Sequence, residues 1–493
     1  MTPRLLCLAA LLPLGAALGA PEDFFAIHVL DEATGHGVPL VTLKTTNHIS
    51  LTTDSAGWIA FQEPGLMNRP VYFHVESPGY AVPKDGFGYA GVRLTPAAGK
   101  TAEIKIRRTQ AAERACRLTG QGIYRDSALL GQEPPLPRPN LSADVMGLDS
   151  VQVAPWKGRY FWIFGDTLKD SYPLGNFHAT AAWSDAPDKD GPDLRHGIHF
   201  EYVTDDQGSV AQMLPMEEPG AVWLFGMLTV RDRQQKEHLL AHYSRWRDLN
   251  RRLEHGLAEY DETKGRFRRV AVLGEEFQWQ HPRHNAVTVK GADGDVIHFC
   301  APFCQTRVRA DHDAVQDTAA YEALAWSQEQ GRYMWQSATG PTTQVEEEDL
   351  IKQGRMPPEK ARMNVVDAHT GKTVRLHAGS VRWNAHRKRW IMIAVQERGD
   401  VSYLGEVWYL EAQSVEGPWH KAVKVASHPK YSFYNPSHHA FFDQQGGRII
   451  HFQGTYAETF SGNPAPTPRY DYNQLLYRLD LEDERLKPAQ QGE

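Results

Sequence analysis

From residue 24 to residue 108 apolar and polar side chains alternate at period two, as in FFAIHVLDEATGHGVPLVTLKTT, TTDSAGWIAF, VYFHVESPGY and AEIKIRR. Successive side chains on a strand point to opposite faces, so this rhythm predicts short strands with one buried face each. No helix-period stretch interrupts them, and a small β-sandwich over 20–108 follows. Residues 109–140 break the rhythm with a charged stretch, then GQGIYRDSALL, then the proline-rich GQEPPLPRPN. They read as a connector.

Beyond it the pattern repeats. Asp149-Ser150-Val151 precedes a turn and RYFWIFGDT, and Ser209-Val210 precedes MEEPGAVWLFGML. Asn285-Ala286-Val287 precedes GADGDVIHFCAP, Ser380-Val381-Arg382 precedes AHRKRWIMIAVQ, and Ser437-His438-His439 precedes DQQGGRIIHFQGTY. Each unit is a short strand, a polar turn and a more apolar strand, followed by a third strand such as HATAAWS or NQLLYRLDL. Hairpin units that cannot bury their faces alone, repeated along a chain, predict the blades of a β-propeller. Five such units over 141–482 predict five blades. The fold expectation is all-β, a β-sandwich followed by a five-bladed β-propeller. The widest spacing, between the third and fourth units, holds VEEEDLIKQG, a short helix with Thr343 and Glu346 as its capping box. The last unit lacks a fourth strand. Residues 122–130 of the connector are expected to supply it by pairing with 473–481, leaving the sandwich as a tethered appendage and 483–493 as a polar tail.

Composition narrows the class. The chain has 493 residues, 41% hydrophobic and 23% charged, with a formal net charge of −7. A basic face able to neutralise phosphates is not indicated, so nucleic acid is excluded as a partner. Thirteen Trp and nineteen Tyr suit both a β-rich core and a carbohydrate binder. In MTPRLLCLAALLPLGAALGA, Arg4, the apolar run Leu5 to Leu18 and the small-residue site Ala17-Leu18-Gly19 read as a secretory signal over 1–19. The expected product is secreted or periplasmic, monomeric and off the membrane. Of the remaining cysteines, Cys116, Cys300 and Cys304, an odd and small number argues against a disulfide framework, and both in FCAPFC read as small strand hydrophobes.

Several pieces of the first unit, Val29-Leu30-Asp31, Gly37-Val38-Pro39, Thr53-Asp54-Ser55-Ala56-Gly57 and Ser77-Pro78-Gly79-Tyr80, resemble the carboxypeptidase-regulatory-like, transthyretin/Ig-like domains of secreted enzymes. Such domains are non-catalytic accessories.

The chemistry is expected at the heads of the first strands, which converge on one face of a propeller. Asp149 and Asp166 flank the hairpin of the first unit, and Asp is a poor strand former. Two carboxylates near one end of a hairpin share a region. Their repulsion raises one pKa, which gives the acid and the base that glycoside hydrolysis requires. The first-strand Asp with Phe164-Gly165-Asp166-Thr167 resembles propeller glycoside hydrolases, similar to family 43, the invertase-like family and the endo-D-arabinanases. The resemblance implies carbohydrate cleavage by acids from three blades, from which this chain departs, because its third blade begins PRHNAVTV with no Glu. Glu406, an unusual Glu at the head of an apolar strand, is read from its position as a third candidate acid. The resemblance specifies no metal ligands, although it leaves room for a channel-bound cation such as calcium. Substrate contacts are assigned to Tyr124 and Arg125 in the connector and to His284, Asn285, His377, Asn435 and His438 at the strand heads. Two other readings compete: a lyase of acidic polysaccharides working through His and Tyr in the channel, and a non-catalytic sugar-binding propeller.

Overall fold

The computed structural model describes residues 20–136, 143–171, 178–185, 193–280 and 285–490. The expected signal over 1–19 lies outside them. Two four-stranded sheets form between residues 25 and 108. One orders Trp58–Phe61, Phe25–Asp31, Thr101–Arg108 and Tyr80–Ala81, and the other Ser50–Thr52, Thr42–Thr45, Val71–Glu76 and Gly91–Leu94. Period two decides which side chains meet. Ile27, Val29, Ile104 and Ile106 of one sheet and Leu43, Phe73 and Val75 of the other are buried in one apolar cluster, while Glu103 and Lys105 point outward.

Five further sheets follow, each with four or five strands. Their first strands are Val151–Trp156, Ala221–Arg231, Asn285–Val289, Leu376–Asn384 and Ser432–His438. These five touch one another in a closed cycle, the fifth against the first. Each sheet then runs outward by antiparallel hairpins. The second sheet begins later than the sequence pattern places it. Val210 makes only an isolated bridge with Thr204, and the inner strand is the run AVWLFGMLTVR. A strand packed on both faces needs that continuous apolar character, which Ser209-Val210 cannot provide. The expected helix is present as Gln344–Lys352, capped reciprocally by Thr343 and Glu346.

Other expectations are corrected as well. The fourth strand of the last sheet is Glu113–Arg117, which pairs with Asn473–Asp480, whereas residues 125–129 of the proposed closing segment are a short helix. Glu113–Arg117 is buried at every position, as a strand between two packed layers must be, and the polar GIYRDS is not. The terminal residues are no free tail: the short 3-10 helix Glu484–Leu486 and the α-helical turn Lys487–Gln490 bury Leu486 and Ala489 against Tyr409, Val423 and Val425. Cys300 and Cys304 are joined as a disulfide across the turn between two strands, with their Cα atoms 4.0 Å apart, and Cys116 is free and buried.

Nor is the N-terminal unit an appendage. The guanidinium of Arg114, itself buried, donates to Pro39 O at 3.0 Å, Pro78 O at 2.8 Å, Leu40 O at 3.3 Å and the Ser77 hydroxyl. Tyr470 donates its hydroxyl to Thr53 O at 2.7 Å and accepts from Leu40 N at 3.1 Å. The Asp54 carboxylate accepts from the amide and hydroxyl of Ser127 at 2.6 and 2.7 Å. Removing one side of such a seam strands buried polar groups, at about 1–3 kcal/mol for each. Deleting 24–108 is therefore expected to give insoluble protein. Arg114→Met is expected to lower stability by about 2–4 kcal/mol through its orphaned carbonyls. Solubility of the deletion and the denaturant midpoint of the variant check this. A soluble, cooperatively melting fragment would show the seam to be dispensable.

Candidate active site

Asp149 stands where the chain passes from the small ribbon Val145–Leu148 and Thr167–Lys169 into the first strand of the first sheet. Its amide donates to Asp166 O at 3.0 Å, its carbonyl accepts from Gly165 N at 2.9 Å, and its Oδ1 accepts from Asp166 N at 2.9 Å. The two aspartates are thus held to each other by backbone bonds. Gly165 is needed there, because a Cβ at that position would lie 2.2 Å from Asp149 Oδ1. On the other carboxylate oxygen, Oδ2 accepts from Tyr434 at 3.1 Å, and the Tyr472 hydroxyl bonds the same carboxylate. Asp166 Oδ1 accepts from the indole of Trp223 at 2.6 Å.

Both aspartates line a cavity of about 370 Å³ together with Trp223, Leu249, Asn285, Tyr434, Asn435, Phe460 and Tyr472. No Lys, Arg or His belongs to that lining among the described residues. Burial, and for Asp149 also the neighbouring charge of Asp166, pushes both carboxyls well above the usual carboxylate range, Asp149 to about 7 and Asp166 to about 6. Two carboxyls set this close titrate as a pair, the charge left by the first proton lost making the second harder to remove. Around Asp149 the backbone is strained. Ser150, Asn435, Phe460 and Tyr472 have φ of 48°, 50°, 59° and 59°, a region that side chains other than glycine seldom occupy. Strain of this kind concentrates where a site is being shaped.

Of the residues assigned from sequence, the structure brings Asp149, Asp166, Asn285 and Asn435 to one cavity. The amide of Asn285 serves its wall, donating to Gly379 O at 3.2 Å and accepting from Ser437 at 3.1 Å. Asn435 donates to Ser150 Oγ at 2.7 Å. The others stand elsewhere. Glu406 is buried, paired with Lys424 and accepting from Asp400 N at 2.9 Å, because it heads a strand whose neighbour offers that cation. His438 is fully buried, with Nε2 2.8 Å from Asp443. His377 is exposed and off the cavity wall. Tyr124 is buried with its hydroxyl on His196 O at 2.7 Å, and Arg125 pairs with Asp126 at 3.2 Å, both at the seam with the N-terminal unit. His284 lies outside the described residues.

Trp223, Tyr434 and Tyr472 were not anticipated. Trp223 belongs to the inner strand that the repeat pattern placed one strand too early. Tyr434 immediately precedes Asn435, so a strand-head reading one residue wider would have included it. Tyr472 lies in the aperiodic TPRYDYN, which gives no signal.

No family model and no curated protein matches this chain. Solved structures similar to it include an endo-1,5-α-L-arabinanase from Thermotoga petrophila, 10% identical over 68% of this chain and 72% of that one, with a TM-score of 0.32. They also include an exo-1,5-α-L-arabinanase from a bovine ruminal metagenomic library, 10% identical over 69% and 95%, with a TM-score of 0.36. A third is an N-acetylgalactosamine deacetylase from F. plautii, 9% identical over 77% and 98%, with a TM-score of 0.38. Likenesses this loose carry no argument, and the functional reading rests on the site.

The raised carboxyls have a consequence for stability. In the unfolded chain both aspartates lose their protons near the ordinary value of 3.8, whereas the folded pair keeps one to a higher pH. The folded state therefore binds more protons, and stability falls as pH rises from about 4 through about 7. Asp166→Asn is expected to raise the melting temperature relative to the parent at pH 8 and to change it little at pH 4. Melting curves of the two proteins at both pH values check this, and an equal shift at both would remove the buried pair as its cause.

Proposed function

We propose that this protein is an exported glycoside hydrolase cleaving a polysaccharide or oligosaccharide, with Asp149 and Asp166 as its catalytic carboxyls. The observation that carries the reading is the pair itself: two carboxyls bonded into one strand crossing, raised by burial and opening on one cavity. Glycoside hydrolysis needs one group to protonate the leaving oxygen and an ionised one to act as base or nucleophile, and a pair that loses its protons one after the other supplies both. The cavity wall fits a sugar. Trp223, Tyr434 and the exposed rim residues Phe460 and Leu249 offer apolar faces for its C–H surfaces, and Asn435 offers an amide for hydroxyls. A lyase of acidic polysaccharides would need a cation to neutralise the uronate carboxylate. The chemistry that the described wall presents is the acid pair, and it favours the hydrolase reading. A mere sugar binder has no use for a protonated acid pair, whose burial is a cost to folding.

In this reading the five sheets are the blades of a propeller over 141–482, and residues 20–108 are an accessory sandwich. The leader over 1–19 directs export, which agrees with the Cys300–Cys304 disulfide, a bond that persists in oxidising compartments.

Asp149→Asn and Asp166→Asn are each expected to leave the fold intact and to lower kcat by about 10²–10⁴-fold, the range for loss of general acid–base catalysis. Phe460→Ala is expected to raise KM more than it lowers kcat. Reducing-sugar release from a panel of polysaccharides reads both. Near-parental kcat in both Asn variants would end the acid-pair reading, and ultraviolet absorbance of an unsaturated uronide in place of reducing ends would favour the lyase.

A further inference from the structure

Away from the cavity, the described residues contain one group of metal-ligating side chains with donor atoms within 4.8 Å of one another: His238, Glu259 and His312. His238 and Glu259 face each other from the strands Glu237–Asp248 and Arg251–Asp261 of the second sheet, and His312 opens the short helix His312–Gln316 of the third. We propose that these three residues bind a Zn²⁺-type transition-metal ion that clamps the second sheet to the third.

The geometry is close to what such an ion needs. His238 Nδ1 lies 2.6 Å from Glu259 Oε1, His312 Nε2 lies 4.0 Å from the same oxygen, and the two imidazole rings stand 4.0 Å apart at 32°. Zinc sits about 2.0–2.2 Å from N and O ligands, so tetrahedral donors are about 3.3 Å apart. The first separation must open and the second close, each by less than about 1 Å.

The outer atoms are arranged as supports of a metal site are. The far nitrogen of His238 faces Asp232 Oδ2 at 3.1 Å, and the far oxygen of Glu259 is held by Arg268. A carboxylate behind a ligating imidazole and a donor behind a ligating carboxylate fix the ligand faces toward the ion. The rival explanation is a protonated His238 shared by Asp232 and Glu259 with no ion at all. In that arrangement His312 is held by the Gln316 amide, 3.1 and 3.2 Å from its ring nitrogens, and stacks on the His238 ring, whereas a shared cation would take its Nε2 as a ligand once that amide turned away. Two imidazoles and one carboxylate select zinc-like ions over calcium or magnesium. His238 and Glu259 also line a cavity of about 320 Å³, from which water could reach them.

The test uses untagged full-length protein stripped by dialysis against a chelator, then titrated with Zn²⁺ and Co²⁺. The expected result is about one ion per chain, a higher melting temperature with Zn²⁺, and a Co²⁺ visible spectrum of tetrahedral character that Zn²⁺ displaces. His312→Ala and Glu259→Gln are expected to weaken Zn²⁺ binding by about 100-fold or more, and Asp232→Asn by about 10–100-fold. A parent protein that takes up neither ion overturns the proposal, as does a His312→Ala variant that binds Zn²⁺ like the parent. Should His312→Ala misfold, the parent Co²⁺ spectrum and Asp232→Asn decide the matter without it.

Discussion

The pairing of Glu113–Arg117 with Asn473–Asp480 is the constraint on which most of this structure hangs. It joins residues some 360 apart and fixes the last sheet against the chain just ahead of the first. Thr119 donates to Asn473 at 2.8 Å, Asn473 donates to Met146 O at 3.1 Å, and Gln474 donates to Leu148 O at 3.2 Å. Those bonds clamp the ribbon that ends at Asp149. Tyr472, one residue before Asn473, is delivered to the Asp149 carboxylate by the same register. Arg114 and Arg117 lie on that one short strand: the first bonds the N-terminal unit, and the second lies over the Tyr470 ring at 5.4 Å. Closure, domain seam and candidate site are three consequences of a single strand pairing.

The site built at this joint is costly to hold together. Four non-glycine residues take left-handed backbone, and two carboxyls are pushed up by burial. Large apolar clusters under the sheets offset these costs. One runs through Ile391, Val407, Tyr409, Phe433, Phe452 and Tyr477, and another through Phe161, Leu224 and Tyr243. Burying a side chain of this kind stabilises by roughly 1.5–3 kcal/mol, so a handful balances a strained turn.

The strands of both regions were legible in the sequence because period two is a direct consequence of strand geometry, and the Thr343–Glu346 helix cap was legible because its mechanism is local. The aspartate pair was legible for a related reason: Asp is conspicuous beside apolar strands. What escaped depended on distance in the fold. Closure by Glu113–Arg117 needs knowledge of a partner far along the chain, and ERACR carries no mark of it. The start of the second sheet was misplaced because Ser209-Val210 imitates a strand head, and with it went Trp223. Glu406 was conspicuous for the same reason as the aspartates, yet a cation on the next strand accounts for it. Sequence shows that a carboxylate is unusual, whereas only the fold shows whether Lys424 or an open cavity lies opposite.

The histidines make the same point in reverse. The chain has 22, and of those assigned to substrate His438 is buried with its Nε2 2.8 Å from Asp443 while His377 stands off the cavity wall. Other buried histidines are packing groups too: His428 shares a bond of 2.8 Å with Tyr477, His451 faces Phe442 O at 3.1 Å, and His439 packs edge-on to Trp162. Burial holds His428 and His439 well below the ordinary imidazole value and lowers His451 to about 3. A neutral imidazole is a compact ring with a donor on one side and an acceptor on the other, suited to the crowded centre where five strands meet. Burial acts on both residue types by disfavouring charge, but with opposite results for function. It strips a histidine of its proton and leaves a packing group, whereas it returns a proton to an aspartate and leaves an acid. At the centre of this protein the same physics turns the histidines into structure and makes the aspartates the candidates for chemistry.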